Sequence, residues 1–137
     1  MNVVRHRPSA RFDRILPAGF RILSALDQAV QGCHVDLEIT AGTDSHVLGA
    51  HPTGEAYDVS VQGLSAQQIS DVKASLEDCL GPLFTVLYEV PQVPSDPTLR
   101  SIAYVNTKAT GPHLHCQRKK GTTFPPPSVT PGAPVVA

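Results

Sequence analysis

The segment His113-Leu114-His115-Cys116 alternates polar and apolar side chains, and this alternation constrains the fold more than any other stretch of the chain. Side chains two apart on a strand share a face. The pattern therefore predicts a strand from His113 to Gln117, with both imidazoles on one side and Leu114 and Cys116 turned to a core. Such a strand needs neighbours in a sheet and an apolar layer behind it. A chain of 137 residues holds one domain with a single modest core.

The remaining pattern supplies both. Apolar residues at Phe20, Leu23, Leu26 and Val30, with Ile22 beside them, follow one helical face between Ala18 and Gln31, and Gly32 is a stop. Val35 to Thr40 alternates as a strand. Ala56 to Val61 does so again, with Tyr57, Val59 and Val61 on one face and Asp58 and Ser60 on the other. Ser65 is placed to cap a second helix whose apolar positions are Ile69, Val72, Leu76 and Leu80, ended by Gly81-Pro82. Leu83 to Val90 and Ile102 to Val105 read as further strands, separated by an irregular excursion marked by Pro91, Pro94 and Pro97. The predicted architecture is one compact α+β domain over residues 1–120, two helices packed on a mainly antiparallel sheet. Residues 1–12 are expected to be a loose arm and 121–137 a Pro-rich tail.

Composition narrows the partners. A formal net charge of −1 offers no cationic surplus for a nucleic-acid backbone. No apolar run approaches the roughly 20 residues of a membrane helix, so neither nucleic acid nor membrane is expected. The basic start, Met1 to Pro8, is not followed by an apolar stretch of signal-peptide length, and cytoplasmic synthesis without a secretory signal is expected. Cys33, Cys79 and Cys116 are odd in number and widely spaced, as free thiols in a reducing compartment would be.

A second polar motif, His51-Pro52-Thr53-Gly54-Glu55-Ala56-Tyr57-Asp58, precedes the central strand. Extended, it would separate His51 from Asp58 by roughly 23 Å. Pro52 and Gly54 supply a bend that can fold His51 back over the strand carrying Asp58. Histidines and a carboxylate brought together this way match a three-ligand zinc set that leaves a fourth position for water.

His51-x-x-Gly54-x-Ala56-x-Asp58 resembles the zinc motif of the D-Ala-D-Ala peptidase and hedgehog superfamily. His113-x-His115 is similar to that superfamily's final strand, and His113-Leu114-His115-Cys116 looks like the hedgehog His-Ile-His-Cys segment. The stretch Thr40 to His46 is also similar to small phage and bacterial members. The resemblance spans roughly Asp36 to Gln117. It implies Zn2+ held by His51, Asp58 and His115, with His113 hydrogen-bonding substrate or the developing oxyanion. The implied activity is a zinc metallopeptidase acting on peptidoglycan stem peptides, as a D,D-carboxypeptidase or an L-Ala-D-Glu-type endopeptidase. A phage lysis or virion protein, released by other means, would reconcile that substrate with the missing signal.

Such enzymes need a carboxylate base, and many members place a Glu just before the last zinc histidine. Lys108 to Pro112 contain none. Val86-Leu87-Tyr88-Glu89 looks like the hedgehog Tyr-Glu, separated here by an insertion from Pro91 to Pro112, so Glu89 is the expected base and Glu55 the other acidic candidate. The family's arginine before the first zinc histidine is also missing, Thr43 and Asp44 standing there. Arg100 and Arg118 remain candidates for a substrate carboxylate. His46 falls outside the motif's offsets, and alternation turns Cys116 away from both histidines. The alternative is a non-catalytic zinc-binding module of the same fold.

Overall fold

The computed structural model describes residues 1–13, 15–42 and 55–126. Among these residues, six strands and three helices run in the order β1 (Val4–His6), α1 (Pro17–Cys33), β2 (Leu37–Ala41), β3 (Ala56–Ser60), α2 (Ala66–Leu80), β4 (Phe84–Val90), α3 (Pro97–Ile102), β5 (Ala103–Val105) and β6 (His113–Arg118). The strands form one sheet in the order β1-β2-β3-β6-β4-β5. The sheet is mixed. Its three inner pairings are antiparallel, while each edge strand pairs parallel to its neighbour.

The His113–Gln117 segment thus becomes a central strand. Leu114 and Cys116 are fully buried against the helical layer, as are Tyr57 and Val59 of the neighbouring β3. On β4 the same period of two buries Phe84, Val86, Tyr88 and Val90 and turns Thr85, Leu87 and Glu89 to the other face. α1 and α2 pack on the buried face and on each other.

α2 forms where its cap predicts. The Ser65 hydroxyl accepts from the Gln68 backbone N–H at 3.1 Å, and Gln68 Oε1 accepts from the Ser65 N–H at 2.9 Å. This reciprocal box satisfies two donors that a helix start otherwise leaves open, worth about 1 kcal/mol. Ile69, Val72, Leu76 and Leu80 all lie in the core.

α1 differs from its expectation in face and end. Its buried stripe is Ala18, Ile22, Ala25, Leu26, Ala29 and Val30, whereas Phe20 is 61% exposed. Alanines let the helix sit close to the sheet, and a stripe built on them rotates Phe20 outward. Pro17 opens the helix with a fixed φ and no N–H to satisfy. The helix passes Gly32 and ends at Cys33, because His34 takes the left-handed conformation at φ 56° and its N–H caps the Val30 carbonyl.

Other departures lie at the edges. Residues 1–12, expected as a loose arm, contain β1, whose backbone pairs with Leu37 to Ile39. The expectation of two helices on a mainly antiparallel sheet becomes three helices on a mixed one. The excursion after Pro91 contains α3, capped by Asp96, whose carboxylate accepts from the Thr98 and Leu99 N–H groups, with Pro97 in the first turn. At the other end, Phe124 meets Phe84 edge-on with ring centroids 5.1 Å apart, so the first residues of the Pro-rich tail are packed.

Candidate metal centre

Three adjacent strands set the site. β6 lies between β3 and β4, with Asp58 opposite His115 on one side and Glu89 opposite His113 on the other. All four side chains project from the face that the helices do not cover. They are nonetheless only 11–19% exposed.

Their polar atoms converge. His115 Nδ1 lies 2.8 Å from Asp58 Oδ1 and 3.7 Å from Glu89 Oε1. His113 Nε2 lies 3.3 Å from Glu89 Oε1 and 3.6 Å from Asp58 Oδ1. One donor atom each from Asp58, Glu89 and His113 falls within 4.8 Å of the others. Ligand atoms about 2.0–2.2 Å from a tetrahedral ion are separated by roughly 3.3 Å. The two carboxylates and the His113 nitrogen at these spacings therefore suit a divalent cation in charge, donor type and distance.

The far sides of both rings are anchored. His113 Nδ1 is 3.0 Å from the Gly111 carbonyl, and His115 Nε2 is 2.7 Å from Gln117 Oε1. The Gly111 carbonyl only accepts, so His113 Nδ1 carries a hydrogen, whereas His115 has an oxygen against each ring nitrogen, the pattern of a doubly protonated ring. Burial disfavours a charged His115 ring. The hydrogen bonds to Asp58 and Gln117, with the charges of Asp58 and Glu89, outweigh that and raise its pKa above the usual 6.5. The same negative potential attracts a metal ion.

Glu89 is held rather than solvated. Asn106 Nδ2 donates to its Oε2 at 2.9 Å, and the Lys108 N–H in turn donates to Asn106 Oδ1 at 3.0 Å. Asn106 follows β5, and its own N–H is bonded to the Val90 carbonyl, so the segment between β4 and β6 supplies the clamp on Glu89. A cleft of about 460 Å³ opens beside His113, lined among others by Arg7, Thr40, Ser60 and Gln62.

Of the residues expected at the site, Asp58, Glu89, His113 and His115 come together. His51, the remaining expected ligand, lies outside the described residues, as do Asp44 and His46. The mutually close triad is composed of Asp58, Glu89 and His113, whereas the expected ligand set is His51, Asp58 and His115, which shares only Asp58 with it. The contact of His115 with Asp58 is the shortest in the cluster, so both histidines address the same carboxylate pair. Glu55 is engaged with Arg118, whose guanidinium donates to it at 2.6 and 3.1 Å. That pairing gives Arg118 a structural task, extended by its contact with the Thr122 carbonyl. Cys116 faces the core, and burial together with the Asp58 charge pushes its thiol up to about 12.

Gln117 and Asn106 were not singled out by the sequence. Gln117 continues the period of two that carries His113 and His115, so the signal for it was present. Asn106 has no such signal, because its place depends on the path of the chain between β4 and β6. No family model, curated protein or solved structure matches this chain.

Proposed function

We propose that the chain is a zinc-dependent peptidase of the hedgehog and D-Ala-D-Ala peptidase type, cleaving peptide bonds in peptidoglycan stem peptides. The observation that carries this reading is the position of Glu89. Although the insertion separates it from His115 in sequence, its carboxylate lies 3.7 Å from His115 Nδ1, next to Asp58 and His113, and is turned away from bulk solvent. That is where a proton acceptor for a zinc-activated water is needed.

Asp58 and His115 would hold the zinc with His51, the ligand set that the resemblance implies. The chemistry supplied by bound zinc is Lewis-acid polarisation of the scissile carbonyl and a lowered pKa for water. Glu89, oriented by Asn106, takes the proton from the attacking water and returns it to the leaving amine. His113 Nε2, when protonated, donates to the oxyanion, its ring fixed by the Gly111 carbonyl. The cleft beside His113 receives the substrate. Arg118 is committed to Glu55 rather than to a substrate carboxylate.

The test is elemental analysis of bound metal in native protein and His51→Ala, beside hydrolysis of purified peptidoglycan by native protein and Glu89→Gln. Near-stoichiometric zinc that is lost in His51→Ala, with hydrolysis lost in Glu89→Gln, is the expected result. Zinc without hydrolysis would make the chain a binding module, and absence of zinc would sink the reading.

A further inference from the structure

Gln117 sits two residues beyond His115 on β6 and shares its face. Successive same-face residues on a strand are about 6.5–7 Å apart at Cα, a span that a glutamine side chain bridges and an asparagine does not. The Gln117 amide reaches back, and its Oε1 lies 2.7 Å from His115 Nε2. The other ring nitrogen, Nδ1, faces Asp58 Oδ1 and Glu89 Oε1 at 2.8 and 3.7 Å.

A metal ion among those carboxylates needs a lone pair on Nδ1, and a neutral imidazole offers it only if the hydrogen is on Nε2. That N–H then needs an acceptor in a setting that excludes most water. Gln117 is the acceptor, and it also fixes the ring plane. Resting on the metal-centre reading above, we infer that Gln117 is a positioning residue that sets the His115 tautomer and directs Nδ1 to a divalent metal. Partners of this kind are worth about 10- to 100-fold in metal affinity.

The experiment uses the full chain, with Co2+ and Zn2+ affinities from competition against a chromophoric chelator. Thermal melting is followed on metal-free protein, and the His115 ring nitrogens are assigned by long-range 1H–15N correlation in the zinc-bound protein. Gln117→Leu should weaken both metals by about 10- to 100-fold while the metal-free melting temperature stays within a few degrees. Gln117→Glu, which keeps an acceptor at the same reach, should retain native affinity, and it covers the case in which Gln117→Leu fails to fold. The zinc-bound native protein should carry its His115 hydrogen on Nε2. Unchanged affinity in Gln117→Leu, loss of affinity in Gln117→Glu, or a hydrogen on Nδ1 would overturn the assignment while leaving the metal centre standing. Native protein that binds neither metal would overturn both.

Discussion

Glu89 and His113 stand directly opposite one another on adjacent antiparallel strands, although they lie 24 positions apart in sequence. The segment between them is not a passive spacer. It forms α3 and β5, adds an edge to the sheet and delivers Asn106 to the Glu89 carboxylate.

If the chain is the zinc peptidase proposed above, Asn106→Ala should damage catalysis without emptying the metal site. Losing one hydrogen bond to a charged group costs about 1.5–3 kcal/mol. If most of that orients the base in the transition state, kcat on peptidoglycan peptides falls about 10- to 100-fold. KM and bound zinc should hold. Steady-state kinetics with metal analysis on the same sample checks this, and an equal fall in zinc content would move Asn106 into a structural role.

Much of the site was legible because β6 states its own geometry. A strict period of two around Leu114 and Cys116 gives the buried face, and the same period gives His113, His115 and Gln117 on the other. The β3 face carrying Asp58 followed by the same logic. What periodicity cannot give is register between strands. That Glu89 meets His113, and Asp58 meets His115, depends on how the chain returns after Val90. The failures on α1 and β1 have local causes. Alanine contributes weakly to an apolar stripe, so Phe20 was read as inward when Ala18, Ala25 and Ala29 form the actual contact. β1 has only three residues, at an edge, within a charged segment, and it gains its order from β2.

Leu114 links the core to the site, since it is fully buried between the two histidines of β6. Leu114→Ala should destabilise the metal-free protein by about 2–5 kcal/mol through lost burial and a residual cavity. Urea unfolding gives the figure directly. A loss below about 1 kcal/mol would mean that the layer behind β6 collapses to fill the gap.

Cys116 should be chemically silent in the folded protein. Its thiol is buried and its pKa is pushed up to about 12, so little thiolate forms at neutral pH and no reagent reaches it. Cys33 and Cys79 are only partly buried. Labelling with an aromatic disulfide reagent at pH 8 should modify those two in native protein and Cys116 only after denaturation, with peptide mapping to identify each. Native labelling of Cys116 would require the β6 face to open.

The N-terminal edge should loosen in acid. Asp36 accepts from the Val3 N–H at 3.0 Å and from Asn2 Nδ2 at 3.2 Å, with Arg5 at 3.7 Å, and these contacts hold its carboxyl below the usual 3.8. A carboxyl whose folded pKa is depressed stabilises the fold above its unfolded value, and that contribution is lost as pH falls through the folded value. The window therefore opens below about pH 4. Protection of the Val3 amide against hydrogen exchange should fall in that range while the amides between β3 and β6 stay protected. Asp36→Asn keeps an acceptor oxygen but cannot titrate, so its Val3 protection should lose the pH dependence. A native profile that is flat from pH 5 to about pH 2 would mean that the backbone pairing of β1 with β2 holds the edge without the carboxylate.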